Sequence, residues 1–350
     1  MHEVGEALRA AAVAAIYLVH GSLDDPQSLG VLADLARCFP AAGQVLRRIR
    51  QRLLERPCGD GAQFSENYAW SFEMAINPPG QTRIPVNLFH WSGENHHLGC
   101  ADGAVRLIDE IDGLDLRRGQ RVLLWGHGHA GNVFALMTNL LAGHPAAVEQ
   151  FFRAAAIYYR WPILGLVDVP VWDRVEQRLQ SPRPLPEGVA LDLVTFGTPI
   201  HYGWDSGGYR RLLHFIHHRP VAGLPIYRAT WPPQVDDVLG AAHGDYVQQL
   251  AIAGTNTSPG LCSWRAWLAD RRLGRLVQAD ASDAEPLDRF RAGAIVPDEG
   301  TTLLVDYGPA EGPITQHHAG HAVYARKQWM LFHAEQVVRR FYAAQAYMVA

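Results

Sequence analysis

Two histidines lie among closely spaced glycines at the point where one apolar stretch gives way to another. The run from Val122 to Trp125 has the length and bulk of a buried parallel strand, and the stretch from Val133 to Leu141 is rich in good helix formers. Between them the chain reads Gly126-His127-Gly128-His129-Ala130-Gly131. A strand, a tight glycine turn and a helix in this order hold one side chain at the top of a sheet. A phosphate-binding loop would need G-x-x-x-x-G-K-[ST] or G-x-G-x-x-G, and the segment fits neither pattern.

This turn resembles the nucleophile elbow of α/β-hydrolase-fold serine esterases and lipases, which has the pattern G-x-S-x-G. Gly128 stands at the position of the serine, and Ala130 fills the final glycine position. The resemblance implies that the backbone amide of His129 is one donor of an oxyanion hole, since it follows the elbow residue. A glycine-rich turn of an ordinary α/β unit is the alternative.

Two further strand ends resemble the same family. The apolar run from 12 to 19 leads into His20-Gly21-Ser22, and the resemblance implies a second oxyanion-hole amide from Gly21 or Ser22. A predicted strand from 189 ends in Thr195-Phe-Gly-Thr-Pro199, a sequence that recurs after the cap in lipase-type members. The loop beyond it is rich in glycine and aromatic residues, so we expect it to border a pocket. The expected pocket residues are His127, Tyr202, Trp204 and His318.

The histidine and the acid of a catalytic triad are expected late in the chain. In the family, the histidine lies on a loop between the final strand and the final helix, and Gly320-His-Ala-Val-Tyr324 falls there. His321 is therefore the expected base, with His318 second, and a histidine loop that only bridges backbone groups is the alternative. The usual place of the acid holds Asn256. The other candidates, among which the sequence does not choose, are Asp236, Asp237, Asp245 and Asp306, the last of which closes a predicted strand.

The nucleophile of such a triad is missing, because glycine has no side-chain atom to attack with. We therefore expect no turnover of esters through an acyl-enzyme with Gly128, and a serine at this position is the change that would test for a silenced hydrolase. Three explanations stay open. The chain is a nucleophile-substituted form of an active esterase, or a natural inactive relative that serves as a ligand-binding or interaction module. In the third, His127, His129 or His321 activates water or holds a metal, although no carboxylate completes a recognised metal set.

Composition predicts an ordinary globular protein, and the family resemblance implies a small-molecule ligand. The chain has 350 residues, of which 48% are hydrophobic and 19% charged, with a formal net charge of -4. This mildly acidic balance argues against nucleic acid as the main partner. Scattered cysteines without metal spacing predict reduced thiols in a cytoplasmic protein, and the apolar run from 10 to 19 is too short to span a bilayer. The expected ligand is a small ester or lipid-like molecule without a cofactor, and the oligomeric state stays open.

The predicted fold class is α/β, with a mostly parallel central sheet flanked by helices. We expect one α/β-hydrolase domain over residues 1–350, with a helical insertion at about 23–80 and a cap at about 146–188. Periodicity and breakers predict strands over 68–76, 84–91, 189–199, 246–254 and 302–307, besides those already described. They predict helices over 26–39, 42–55, 104–111, 146–159, 261–277 and 327–347.

Overall fold

A parallel β-sheet forms the centre of the protein. The computed structural model describes residues 1–21, 63–161, 167–181, 188–199, 201–230, 233–251, 259, 263–277 and 292–343. Within these residues six strands form one sheet, and every neighbouring pair runs parallel. They are β1 (Val13–Val19), β2 (Val86–Phe89), β3 (Arg121–His127), β4 (Ala190–Phe196), β5 (Arg211–His217) and β6 (Thr301–Val305). The predicted α/β class with a mostly parallel sheet flanked by helices is confirmed.

The order of the strands indicates where along the edge of the sheet a ligand can bind. Across the sheet the strands run β2-β1-β3-β4-β5-β6, so the chain first moves outward from β1 to β2 and then returns to the other side of β1. The direction of winding therefore changes between β1 and β3. Because the connections on the two sides leave the sheet in opposite directions, a crevice opens at the carboxyl ends of these two strands.

Both faces of the sheet are buried under helices. Along β1, Tyr17 belongs to the hydrophobic core on one face, while its neighbours Ile16 and Leu18 belong to the core on the other. This alternation follows from the two-residue period of a strand, and it explains why the strands are apolar throughout. The helices are α1 (His2–Ala10), α2 (Glu66–Ile76), α3 (His97–Asp112), α4 (Ala130–Ala142), α5 (Pro145–Tyr159), α6 (Pro170–Leu179), α7 (Val235–Leu239), α8 (Tyr246–Ala251), α9 (Trp264–Val277), α10 (Ile314–His317) and α11 (Met330–Phe341). Two short 3-10 segments, His318–Ala325 and Lys327–Trp329, lie between α10 and α11.

Two segments predicted as strands are helices. The predicted strand over 68–76 is part of α2, in which Tyr68, Phe72 and Ile76 are buried at a spacing of four residues. The side chain of Ser65 caps this helix by accepting a hydrogen bond from the amide of Tyr68, at 3.1 Å. The second segment, over 246–254, begins with α8, and Asp245 caps it through the Gln248 amide. In both cases the capping side chain and the helical spacing of buried residues outweigh the strand-like pattern.

Several described elements were not predicted, and several predictions fall outside the described residues. Sequence analysis did not identify α1, α6, α7, α10 or β5, although β5 lies inside the sheet between β4 and β6. The other predicted strands and helices among the described residues are present, with shifted ends. The helices predicted over 26–39 and 42–55, and most of the proposed insertion, lie outside the described residues.

Helices α5 and α6, which fall in the region predicted as a cap, contribute to the main core. Phe152 and Trp172 are fully buried in the same hydrophobic cluster as α3 and α4. The indole Nε1 of Trp172 also donates to Asp102 Oδ1 at 2.7 Å. Among the described helices, none combines the length and apolar character needed to cross a membrane.

Candidate functional site

Gly128 forms the corner between β3 and α4. Its backbone has a φ of +56°, in the left-handed region that costs a residue with a Cβ about 1–2 kcal/mol. The Gly128 amide donates to the carbonyl of Phe196 at 2.8 Å, and its own carbonyl accepts from the Thr198 hydroxyl at 2.9 Å. The turn is therefore held on both sides by residues at the end of β4.

Asp245 and His321 form a buried hydrogen-bonded pair beside this turn. The Asp245 Oδ2 atom lies 2.7 Å from His321 Nδ1, and both side chains are shielded from solvent. An ionised carboxylate only accepts hydrogen bonds, so Nδ1 carries the proton and Nε2 presents a lone pair. Asp245 Oδ2 also accepts from the Tyr324 hydroxyl at 3.1 Å, while Oδ1 accepts from the Gln248 amide at 2.9 Å. These bonds fix the orientation of both side chains.

The free edge of the His321 ring faces Gly128. A Cβ built on Gly128 would lie 2.9 Å from His321 Nε2 and 3.4 Å from its Cε1. Among the described residues, no group is hydrogen-bonded to Nε2. The arrangement thus places a base, oriented by a carboxylate, directly over the residue at the strand-to-helix corner.

The backbone of Gly197 lies so close to the Asp245 carboxylate that only a residue without a side chain fits there. Gly197 has a φ of +59°, and a Cβ there would lie 2.4 Å from Asp245 Oδ2 and 2.6 Å from Tyr324 Cε2. A side chain at this position would therefore overlap the carboxylate. This contact gives a physical reason for the glycine in the Thr195–Pro199 sequence.

His127, which ends β3, holds the backbone and ring of His321. Its ring stacks on that of His321 with centroids 4.3 Å apart, and its Nε2 donates to the His321 carbonyl at 3.1 Å. Burial, followed by the electrostatic effect of the neighbouring His321, holds the pKa of His127 well below its usual value. His127 is therefore neutral, and it can hold His321 without competing for the acid.

Two backbone amides flank the Gly128 position. His129 is the N-cap residue of α4, and its amide has no acceptor among the described residues, as expected at the first turn of a helix. The Gly21 amide, at the end of β1, likewise has no acceptor there. The Gly21 Cα lies 3.6 Å from the position of a Cβ on Gly128. Both residues therefore lie next to this corner with backbone amides that have no acceptor among the described residues, which a donor to an oxygen of developing negative charge would require.

A small, mainly apolar cavity of about 250 Å³ opens beside the pair. Gly128, His129 and His321 form part of its wall, and α8 supplies an apolar side through Val247, Leu250 and Ala251. Asn95, Gly197, Pro199 and Gln248 complete the described lining. Burial holds the pKa of His129 well below its usual value, so this wall carries no positive charge from that ring.

A larger cavity of about 520 Å³ lies elsewhere and includes neither Gly128 nor His321. Its described wall contains Trp91, Glu94, His96, Asp102 and Arg106. His96 lies between two carboxylates, Glu94 at 3.3 Å and Asp270 at 3.3 Å. These hydrogen bonds outweigh the cost of burial and raise the pKa of His96 to about 9.

The structure separates Asp306, one of the candidate acids, from the histidine. Asp306 does not contact His321; its carboxylate pairs with Arg219 at 3.3 Å and accepts from the Gly308 amide at 2.8 Å. Because its side chain is half exposed, it is a surface group. Asp245, one of the alternatives that the sequence left open, makes the contact instead. Asn256 and Ser22 lie outside the described residues.

Tyr202 and Trp204 do not form part of the described lining of the small cavity. The Tyr202 hydroxyl is 2.9 Å from His97 Nδ1, and this buried ring belongs to the main core. Trp204 packs against Tyr209 and His214. His318 lies on the same segment as His321, but it does not form part of the described lining either.

Sequence analysis also missed residues that support the site. Tyr324, Thr198 and Gln248 hold Asp245 or the Gly128 turn through hydrogen bonds. Thr198 lies in the Thr195–Pro199 sequence and Tyr324 in the Gly320–Tyr324 sequence, the two segments that resemble α/β hydrolases. The resemblance could therefore have pointed to both residues. Gln248 has no such signal, because its position depends on α8.

Within the described residues, no group of three or more metal-binding side chains is arranged to hold an ion. Comparison of the chain with models of protein families, with curated proteins and with solved structures finds no significant match.

Proposed function

We propose that this chain is an α/β-hydrolase-type protein of the serine esterase and lipase class whose acyl-transfer centre lacks a side-chain nucleophile. In this proposal His321 is the base, Asp245 orients it, and the His129 and Gly21 amides form the oxyanion hole. The observation that carries the proposal is the position of His321, with Nδ1 at 2.7 Å from Asp245 and Nε2 at 2.9 Å from the Cβ position of Gly128.

The order of these groups along the chain supports the proposal. The corner residue follows β3, Asp245 follows β5 and His321 follows β6. Nucleophile, acid and histidine occur in this order in α/β hydrolases, whereas other triad enzymes use different orders. The site also lies at the carboxyl ends of β1 and β3, where the winding of the sheet changes direction.

The cavity favours a small ester or another acyl compound as the ligand. Its volume of about 250 Å³ is below the range of roughly 300–1,000 Å³ that is typical of drug-sized ligands. The apolar wall from α8 would contact the hydrocarbon part, and the two amides would bind the carbonyl oxygen. Without a hydroxyl at residue 128 no acyl-enzyme forms there, and loss of a triad nucleophile lowers kcat by about 10⁶-fold.

Restoring the hydroxyl tests the proposal. The Gly128→Ser variant should react covalently with a fluorophosphonate probe and hydrolyse p-nitrophenyl acetate through an acyl-enzyme. Gly128→Ala adds the same Cβ without an oxygen, so it should not be labelled. His321→Ala in the Gly128→Ser background should also abolish labelling, because the serine then has no base.

A folded Gly128→Ser protein that is neither labelled nor active would contradict the proposed acyl-transfer centre. It would instead favour a ligand-binding module on the same fold. The apolar cavity beside a corner that has no side-chain nucleophile is the observation that favours this second function. Because a Cβ at residue 128 would lie 2.9 Å from His321 Nε2, the imidazole must shift in these variants, and the melting temperature of Gly128→Ala shows whether the fold tolerates that movement.

A further inference from the structure

We propose that the larger cavity, of about 520 Å³, is a second binding site of this chain and that it takes a neutral sugar or another small polyol. Its volume lies within the range of roughly 300–1,000 Å³ that is typical of small-molecule sites. The described walls of the two cavities share no residue, so this proposal does not depend on the function proposed for the Gly128 corner.

Three parts of the fold bring the polar groups of this cavity together. Leu98, Asp102 and Arg106 follow one another at intervals of four residues, so they share one face of α3. Glu94 lies on the loop between β2 and α3, and Tyr158 lies near the end of α5. The wall is therefore built from side chains on packed helices and on the short loop that leads into one of them.

The ionic groups of this wall disfavour an anionic ligand. Arg106 Nε donates to Asp102 Oδ2 at 2.6 Å, and Glu94 Oε2 lies 3.3 Å from His96 Nε2. Behind the wall, Asp270 Oδ1 lies 3.3 Å from His96 Nδ1. In this group three carboxylates accompany at most two cationic side chains. A further negative charge would therefore meet carboxylates whose charge is already not exceeded by that of the cations.

Donors and an acceptor remain available at the same wall. Arg106 has five N–H donors, and the described groups with which it interacts are Asp102 and the Tyr158 hydroxyl. Burial raises the pKa of Tyr158 above its ordinary value, so its hydroxyl keeps a proton to donate. Glu94 Oε1 has no hydrogen-bond donor among the described residues.

A polyol suits this combination because each of its hydroxyl groups both donates and accepts. One ligand can then accept from Arg106 and Tyr158 and donate to Glu94. An ammonium group cannot accept from the first two, and a carboxylate cannot donate to the third. The described hydrogen bonds thus favour a neutral hydroxylated molecule over a charged one.

Two aromatic side chains add apolar surface to this polar wall. The indole Nε1 of Trp91 donates to the His20 carbonyl at 2.9 Å, so the polar atom of this ring is already paired. The Tyr158 ring packs edge-on against Trp172, with centroids 5.7 Å apart. A sugar ring carries C–H groups on its faces and hydroxyls at its edge, and it can use both kinds of surface.

The test measures binding to the full chain by saturation-transfer NMR and by titration. The neutral probes are D-glucose, maltose and myo-inositol at millimolar concentration, and at least one of them should bind. D-glucuronate adds a carboxylate to the glucose ring and should bind at least about tenfold more weakly than the neutral probes. D-glucosamine, in which an ammonium replaces one hydroxyl, should also bind more weakly. Absence of binding by all three neutral probes, or tighter binding of either charged sugar, would overturn the proposal.

Two conservative variants locate the bound probe. Tyr158→Phe and Glu94→Gln each remove or weaken one hydrogen bond to the ligand, so each should weaken binding of the neutral probe by about two- to tenfold. The matched controls, Tyr227→Phe and Glu149→Gln, change exposed residues that are not part of the cavity wall and should leave binding unchanged. Melting temperatures show that the variants are folded. Unchanged binding in both folded cavity variants would place the probe elsewhere and overturn the proposal.

Discussion

Asp245 Oδ2 lies 2.7 Å from His321 Nδ1, although 76 positions separate the two residues in the chain. Asp245 comes after β5 and His321 comes after β6, and these strands are parallel neighbours. Because the carboxyl ends of parallel strands meet at one edge of a sheet, their loops can bring an acid and a base together. The same edge carries Gly128 after β3, so the sheet order by itself accounts for the convergence of the three positions.

Replacing Asp245 with alanine should destabilise the protein by several kcal/mol, since it leaves three buried donors unpaired and each unpaired donor costs about 1–3 kcal/mol. Those donors are His321, Tyr324 and the Gln248 amide. The control is Asp306→Ala, which breaks a half-exposed ion pair and should cost less than about 1 kcal/mol. Urea unfolding measures both free energies. Equal losses would show that Asp245 is not the buried partner described here.

The sequence predicted the corner and the histidine because both depend on local patterns. The strand, the glycine turn and the helix around Gly128 are contiguous, and the loop that contains His321 lies between a strand and a helix near the end of the chain. The acid could not be chosen, because its place depends on β5. This strand begins at Arg211 and ends at His217, and because both ends are polar the segment does not resemble the continuous apolar run of a buried strand.

The sequence predicted a strand where α8 lies, and the position expected for the acid was therefore too far toward the C-terminus. Once 246–254 is interpreted as a strand, the residue expected to be the acid is Asn256, whereas the carboxylate that contacts His321 in the structure belongs to Asp245, at the start of the helix. Tyr202, which was expected in the pocket, packs into the main core instead of the described lining of the small cavity. An aromatic residue in a glycine-rich loop can line a cavity or pack into the core, and only the tertiary contact with His97 distinguishes these outcomes.

Gly197→Ala should destabilise the protein much more than an alanine at an open glycine. Positive φ costs a residue with a Cβ about 1–2 kcal/mol, and overlap with the Asp245 carboxylate at 2.4 Å adds about 1–3 kcal/mol. Gly223→Ala, with a φ of +83° and no atom within 4 Å of the new Cβ, should show only the first cost. Chemical denaturation of the two variants gives the difference. A smaller loss at Gly197 than at Gly223 would contradict the close approach.

Tyr324→Phe should cost about 1–3 kcal/mol of unfolding free energy, because the His217 amide loses its buried acceptor. The Tyr324 hydroxyl accepts from that amide at 2.7 Å and donates to Asp245 at 3.1 Å. In the Gly128→Ser background the same change should lower the rate of fluorophosphonate labelling, since Asp245 is less firmly held. Tyr68→Phe is the matched control, because the buried Tyr68 hydroxyl has no partner among the described residues, and its removal should cost little.

The pH dependence of stability should include a contribution from His333. Burial lowers its pKa to about 3, whereas the unfolded chain has the ordinary value of about 6.5. Above pH 6.5 both states are neutral at this residue, and below it only the unfolded state gains the proton. Stability is therefore lost as the pH falls from 6.5 toward 3, by about 2 kcal/mol between pH 7 and pH 5. His333→Gln should remove this loss, whereas Tyr307→Phe, which breaks the 2.7 Å bond to His333 but keeps the ring, should retain it. Urea unfolding at the two pH values measures the slope, and an unchanged slope in His333→Gln would rule out the buried neutral histidine as its cause.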